Sequence, residues 1–117
     1  MTAPLGSYAQ DAPKVRVTLD YESQWPSCQE FTTGTLAHVL ALPDMVAIMD
    51  VQLVAYGNTK YVDGEFSCQH GKDECTTDVY HSCVEYKLSG NLDSIESGDT
   101  AIQAWPFILC MEKAEGD

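Results

Sequence analysis

The sequence has few basic residues and no long apolar run. Six Lys and Arg stand against 18 Asp and Glu, which gives a formal net charge of −12. A charge of this sign repels nucleic-acid phosphates and anionic lipid, so we expect no nucleic-acid partner. No window approaches the roughly 18 uninterrupted apolar residues of a transmembrane helix, so we also expect no membrane span.

The sequence also lacks a signal peptide pattern, an N-glycosylation sequon, internal repeats and low-complexity tracts. With 117 residues, 44% of them apolar, it is long enough for one hydrophobic core and too short for two. We divide it into a flexible leader (1–13), one domain (14–112) and an acidic tail (113–117).

Cysteine is abundant for so short a chain. Four of the five cysteines fall between residues 68 and 110, which is typical of a disulfide-bonded protein of an oxidising compartment. We therefore expect a secreted or lysosomal/endosomal chain whose signal peptide has been removed. An odd number leaves at least one thiol unpaired in a monomer, and the isolated Cys28 is the candidate.

The first half of the domain follows a strand, helix, strand pattern. Val15, Val17 and Leu19 alternate with polar residues, which predicts a half-buried strand. Ser27 and Glu30 form a capping box that opens a helix over about 27–41. After Pro43, the apolar run 46–56 predicts a second, central strand. Such a unit permits a parallel crossover and is how a thioredoxin-like α/β fold begins.

The second half is predicted to be mainly helical. Asp63-Gly64 indicates a short hairpin. A helix over about 73–88 is expected to end at Gly90 and Asn91 and to carry one stripe of four residues: Cys75, Val79, Cys83 and Tyr86. A third helix begins near Asp99 or Thr100, where Thr100 and Gln103 form another capping box. We expect it to be bent or interrupted at Pro106.

Residues 68–83 carry a closely spaced motif. They read CQHGKDECTTDVYHSC, which resembles the motif CQHGxxECxxNx4C of the gamma-interferon-inducible lysosomal thiol reductase (GILT) family, with Asp78 in place of Asn. The segments 20–23, 53–58 and 106–112 are also similar to the YYES, LVPYGN and PFIxCME segments of that family. The resemblance thus covers about residues 14–112.

The resemblance implies a thioredoxin-like fold of which this sequence holds the front part. Members of the family continue further, with more cysteines and another strand of the sheet. The chain is then either a fragment or a shortened version, and the open edge of its sheet must be covered or paired.

In the family, two thiols in a Cys-x-x-Cys at a helix N-terminus reduce substrate disulfides: the first attacks and the second resolves the mixed disulfide. The corresponding residues here are Trp25-Pro26-Ser27-Cys28. Trp25 replaces the attacking cysteine, and Cys28 keeps the resolving position. Trp25 is interpreted either as an apolar filler or as an exposed binding hot spot, and Cys28 either as an inert thiol or as a reactive one.

The other four cysteines, Cys68, Cys75, Cys83 and Cys110, are expected to form structural disulfides. If 75–83 is helical, Cys75 and Cys83 lie about 12 Å apart and cannot bond each other. Cys68 then pairs with one of them and Cys110 with the other, in either order.

The motif also offers potential metal ligands, namely Cys68, His70, Cys75, His81 and Cys83, but no Cys-x2-Cys or His-x3-His pair supports a zinc finger. We therefore predict no metal and no cofactor. Gln69, His70 and Gly71 are interpreted as a tight loop, in which His70 packs or hydrogen-bonds and Gly71 supplies an unusual backbone angle. Glu74 complements the dipole of the helix that follows.

Three functions follow from these features. The chain is a GILT-like protein that has lost efficient reduction and binds another protein; or it reduces or traps disulfide-containing proteins through Cys28 alone; or it is a structural homodimer. The sequence leaves the partner and the oligomeric state open.

Overall fold

The structure, a computed structural model, describes residues 12–89 and 98–115. Two parallel strands and the helical segment between them form its centre. The elements in chain order are β1 (Val15–Tyr21), α1 (Pro26–Phe31), a π-helical turn (Thr32–Leu36), α2 (Ala37–Leu40), α3 (Pro43–Ile48), β2 (Met49–Ala55), β3 (Lys60–Val62), β4 (Glu65–Ser67), α4 (Lys72–Ser89) and α5 (Gly98–Glu115).

The strand-helix-strand prediction is confirmed. β1 and β2 pair in parallel, from Val15 opposite Met49 to Tyr21 opposite Ala55. The helical segment between them is continuous through the π-helical turn, which contains Gly34. Glycine packs no side chain and weakens regular α-helix, so it is a favourable place for such an irregularity. The chain is therefore a mixed α/β structure with a small sheet.

The second strand is shorter than predicted. Residues 43–48, of which 46–48 were expected in the strand, form α3, and β2 begins only at Met49. Pro43 occupies the first turn of α3 and Asp44 adds an acidic side chain there. Both features favour a helix N-terminus, whereas sequence reasoning had treated them only as a break.

The predicted hairpin is present as β3 and β4, which pair antiparallel. Its two turn residues, Asp63 and Gly64, have φ of 54° and 81°. Positive φ at both positions is the geometry of a tight hairpin turn whose twist matches that of the strands. The hairpin is largely exposed, and the ring of Phe66 contacts those of Tyr61 and Tyr56.

The hydrophobic core lies where α5 covers the two-stranded sheet. It consists of Tyr21, Leu36, Val51, Leu53, Ala104, Trp105 and Ile108. Of the bend or interruption expected at Pro106, the interruption is absent, since α5 runs through this exposed residue. The side chain of Thr100 lies outside the described residues, as do Gly90, Asn91 and residues 1–11 of the leader.

The face that α4 buries lies beside the stripe identified in the sequence. Its buried residues are polar: Glu74, Asp78, His81 and Glu85. The predicted stripe is the more accessible face, with Val79 53% and Tyr86 42% exposed. Asp78 and His81 have hydrogen-bond partners at the end of β1, described below, and these offset part of the cost of burying polar side chains. The stripe instead lines a groove of about 350 Å³ beside Tyr56 and Phe66.

One disulfide closes the loop before α4. Cys68 is bonded to Cys75, with α-carbons 5.6 Å apart, which agrees with the exclusion of a Cys75–Cys83 bond. The expected second bridge is not formed, and Cys83 and Cys110 are exposed thiols. Each lies two positions from a buried residue of its own helix, His81 in α4 and Ile108 in α5. Since two positions turn a helix by about 200°, both sulfurs face away from the shared core.

Among the described residues, no helix is long and apolar enough to cross a membrane.

Candidate functional site

The start of α1 presents the residues that correspond to the reductase motif. Trp25 is the N-cap residue, in extended conformation, and Pro26 occupies the first turn. The Trp25 carbonyl accepts the N–H of Gln29 at 2.9 Å, and its own N–H donates to the Glu22 carbonyl at 3.2 Å. The indole is 40% exposed. It thus occupies the point where free N–H groups and the helix dipole would favour an anion.

Cys28 lies one turn further, beside the core, and is partly buried. Burial raises the pKa of its thiol above the ordinary value; a backbone hydrogen bond from Glu22 opposes this, and the carboxylates of Glu22, Glu112 and Glu74 add to it. Its neutral form is therefore favoured. Since the thiolate is the nucleophile, these surroundings do not activate Cys28.

The end of β1 is attached to α4 by three side-chain contacts. The Tyr21 hydroxyl lies 2.6 Å from His81 Nδ1, and the Ser23 N–H donates to Asp78 Oδ1 at 3.0 Å. The Ser23 hydroxyl lies 2.6 Å from that of Thr77. The Tyr-Glu-Ser segment and the cysteine motif, which are 45 residues apart along the chain, therefore form one structure beside Trp25.

Glu22, His70 and Glu74 meet at the centre of this structure. His70 Nδ1 lies 2.7 Å from Glu74 Oε2 and 3.4 Å from Glu22 Oε2. Gly71 has a φ of 96°, as predicted, and lets the loop turn so that the His70 N–H also donates to Glu74 Oε1 at 3.0 Å. Glu74 therefore does more than complement the helix dipole. The ring of His70 stacks against Trp25, with centroids 6.3 Å apart.

The loop after β2 supports the same carboxylate. Asn58 Nδ2 donates to Glu22 Oε1 at 3.1 Å. With its amide nitrogen turned toward Glu22, Gln69 donates to the same oxygen at 2.7 Å. Gly57 has a φ of 55°, and a Cβ there would collide with the side chain of Glu22. A glycine is thus required at this close approach.

A second buried polar group lies deeper, between α4 and α5. Burial lowers the pKa of His81 to about 4 and raises that of Glu85 to about 7. His81 Nε2 lies 3.8 Å from Glu112 Oε1. Both residues of α4 are therefore favoured in their neutral forms at mildly acidic pH.

The structure brings together most of the site residues taken from the sequence. Trp25, Gln69, His70, Gly71 and Glu74 surround one point, with Cys28 behind it. Cys83 and Cys110 lie outside this site as exposed thiols. Among the described residues, the possible zinc ligands of the motif do not form a common cluster.

Sequence reasoning missed the contributions of four residues, which are Glu22, Asn58, Asp78 and His81. All four fall within the segments on which the family resemblance depends, and this was the signal that could have revealed them.

The family model described as "Gamma interferon inducible lysosomal thiol reductase (GILT)" matches residues 16–117. The chain belongs to the GILT family. GILT relatives include gamma-interferon-inducible lysosomal thiol reductases of Carassius auratus, 36% identical over 87% of this chain and 37% of the relative, and of Mus musculus, 34% identical over 89% and 38%. GILT-like protein 2 of Drosophila melanogaster is 33% identical over 89% of this chain and 45% of its own length. The chain thus spans less than half the length of these relatives.

Asp78 stands where the GILT motif has Asn, and this replacement leaves a carboxylate oxygen buried without a hydrogen bond from any described residue. Its Oδ1 accepts the N–H of Ser23, but its buried Oδ2 has no hydrogen-bond partner among the described residues. Burial raises the pKa of Asp78, an effect opposed by its hydrogen bonds with Ser23 and strengthened by the carboxylates of Glu74 and Glu22.

We expect Asp78→Asn to increase the free energy of unfolding at pH 7 by about 1–2 kcal/mol, because an amide oxygen still accepts the N–H of Ser23 and the substitution removes a carboxylate charge that burial disfavours. Urea unfolding followed by circular dichroism measures this change. Asp20→Asn, at an exposed position of β1, is the matched control and should change stability by less than about 0.5 kcal/mol. A loss of stability in Asp78→Asn would contradict the explanation.

Proposed function

We propose that this chain is a secreted or lysosomal/endosomal GILT-family protein that binds a protein segment around Trp25 and does not reduce disulfides efficiently. The observation that carries the proposal is the indole of Trp25 at the N-cap of α1. Reduction needs an exposed thiol at this position, where the helix dipole lowers its pKa. An indole has no thiol group and cannot attack a disulfide.

The surroundings of Trp25 support a binding role. Its indole is 40% exposed and is supported from one side by the ring of His70. An aromatic side chain held on a rigid helix start presents contact area at low entropic cost, which is characteristic of interface hot spots. The names of the GILT relatives indicate thiol reductases, so a disulfide-containing protein is the class of partner that the chain would have retained.

The proposed fold is a shortened thioredoxin-like one. The parallel unit of β1, α1 and β2, with the redox position at the start of the intervening helix, supports this assignment.

An alternative is thiol exchange through Cys28 alone. The observation in its favour is that Cys28 is only partly buried. Against it stand the raised pKa of the thiol and the position of Trp25 in front of it.

An insulin reduction assay at pH 5 distinguishes the two functions. We expect the wild-type chain to reduce insulin no faster than Cys28→Ser, within twofold, because neither contains an attacking thiol. A wild-type rate at least tenfold above that of Cys28→Ser would establish the alternative instead.

Binding is tested with oxidised insulin as the immobilised probe. Trp25→Ala should weaken its capture at least fivefold, whereas Phe107→Ala, a control of similar exposure (45%) on α5, should leave it unchanged. Capture that falls by less than twofold in Trp25→Ala would rule out Trp25 as a hot spot.

A further inference from the structure

Three side chains from separate parts of the chain converge next to Trp25. Glu22 follows β1, His70 lies in the loop closed by the disulfide, and Glu74 lies in the first turn of α4. One ligand atom from each lies within 4.8 Å of the other two. The side chains of Glu22 and Glu74 are 1% and 0% exposed, and that of His70 is 29% exposed.

The spacing of these atoms suits a metal ion. A zinc-type cation binds nitrogen and oxygen at about 2.1 Å, so tetrahedral ligand atoms lie about 3.4 Å from one another. His70 Nδ1 lies 3.4 Å from Glu22 Oε2 and 2.7 Å from Glu74 Oε2. The remaining pair, one oxygen of Glu22 and one of Glu74, lies within 4.8 Å, so the three ligand atoms lie close to the spacing of a zinc-type site.

The second oxygen of each carboxylate is already held by a donor. Glu22 Oε1 accepts from Asn58 Nδ2 at 3.1 Å, and Glu74 Oε1 accepts the backbone N–H of His70 at 3.0 Å. Oε2 of each carboxylate faces His70 Nδ1, and Oε2 of Glu22 also lies 3.2 Å from the amide nitrogen of Gln69. Hydrogen bonds to the other oxygen of a ligand are the usual outer support of protein metal sites.

The charge of the cluster is not balanced by protein groups. Among the described residues, the only basic side chain within ion-pair distance of Glu22 or Glu74 is His70. One imidazolium compensates one of two buried carboxylates, whereas a divalent cation with a neutral imidazole compensates both.

A further buried carboxylate, that of Asp78, lies next to Glu74. Oδ2 of Asp78, a residue 6% exposed, has no hydrogen-bond partner in the described part of the chain. An oxygen of Asp78 also lies within 4.8 Å of a carboxylate oxygen of Glu74. Asp78 is thus a third buried acidic group near the cluster, and a bound cation would offset the cost of burying its unpaired oxygen.

One member of the cluster, Glu22, lines a cavity. This cavity, of about 260 Å³, lies between the end of β1 and the loop after β2, and Trp25 and Asn58 also line it. An ion could therefore approach Glu22 beside the indole, and a functional metal site requires such an entry path.

We propose that Glu22, His70 and Glu74 form a binding site for a divalent transition-metal cation of the Zn²⁺ class. The imidazole nitrogen favours such ions over Mg²⁺ and Ca²⁺, which prefer all-oxygen sites. The site is separate from the thiol chemistry of the family and does not depend on the proposed function.

Titration of the oxidised chain with Zn²⁺, followed by calorimetry and by tryptophan fluorescence, to which Trp25 and Trp105 contribute, tests the site. We expect saturable 1:1 binding that changes the fluorescence, because the indole of Trp25 stacks on the liganding ring. Glu74→Gln and Glu22→Gln should each weaken binding at least tenfold. Glu30→Gln, an exposed control on α1, should bind as the wild type does.

Two further measurements keep the result unambiguous. The triple variant Cys28→Ser, Cys83→Ser, Cys110→Ser should bind Zn²⁺ as tightly as the wild type, and the Co²⁺ complex should lack the near-ultraviolet charge-transfer band of a thiolate ligand. His70→Gln, at the most exposed of the three positions, tests the site even if a substitution at a buried glutamate prevents folding. Absence of saturable binding, loss of binding with the thiols, or equal binding by folded His70→Gln would overturn the proposal.

Discussion

Trp25→Cys is expected to give the chain disulfide reductase activity, with insulin reduction at pH 5 rising at least a hundredfold above that of the wild type. The substitution places one thiol at the N-cap of α1 and leaves Cys28 three residues later. The α-carbons of positions three apart in a helical turn lie about 5 Å apart, which is within the range of a disulfide between α-carbons. The new thiol meets the free N–H groups of the first turn and is therefore acidified.

The control for this gain is the double variant Trp25→Cys, Cys28→Ser. It keeps the attacking thiol and removes the resolving one, so it should form a stable mixed disulfide with insulin and release little product. Mass spectrometry identifies that adduct. If Trp25→Cys folds and its reduced thiol reacts with iodoacetamide, yet insulin is not reduced, then residues other than Trp25 also prevent reduction.

Glu85→Gln is expected to stabilise the chain at pH 8 by roughly 1–3 kcal/mol and to leave its stability near pH 4.5 unchanged. The pKa of Glu85 is raised to about 7 by burial, from an ordinary value of 4.5. The folded state therefore holds a proton that the unfolded chain releases. The resulting stabilisation is complete below about pH 4.5 and is lost as the pH rises through 7.

The pKa shift of His81 is opposite in sign to that of Glu85 and affects the same pH range. Its pKa is lowered from 6.5 to about 4, so its contribution is present above pH 6.5 and is lost as the pH falls to 4. Between about pH 4.5 and 6.5 the two residues offset each other in the wild type. In Glu85→Gln the effect of His81 is uncovered, and stability should rise with pH across this interval.

Urea unfolding at a series of pH values measures both effects. Glu65→Gln, an exposed control on β4, should follow the wild type at every pH. Equal gains for Glu85→Gln at pH 4.5 and pH 8 would show that its effect comes from packing and not from a proton.

The parts of the fold that the sequence predicted correctly depend on local rules. The alternation at Val15, Val17 and Leu19, the Asp63-Gly64 turn and the φ of Gly71 each follow from a few neighbouring residues. The family motif added the identity of the loop around His70. The folded chain keeps these local conformations because no tertiary contact requires a different one.

The parts that it did not predict depend on partners far along the chain. The buried face of α4 is polar because Asp78 and His81 meet Ser23 and Tyr21, more than 50 residues earlier. Periodicity drew attention instead to the stripe of Cys75, Val79, Cys83 and Tyr86, which lies about 100° around the helix from the buried residues. The absence of the second disulfide has the same cause. The contacts of Asp78 and His81 fix the orientation of α4, and in that orientation Cys83 is exposed to solvent.

The disulfide between Cys68 and Cys75 also constrains the chain before it folds. Its covalent ring contains Gln69, His70, Gly71 and Glu74, and it persists when every tertiary contact is lost. In the denatured ensemble of the oxidised chain, His70 and Glu74 therefore still lie in one small covalent ring, and fewer backbone conformations are open to them than in the reduced chain. A reductant that opens the ring removes this constraint from the denatured chain, so the entropic cost of ordering the loop around His70 is larger for the reduced chain than for the oxidised one.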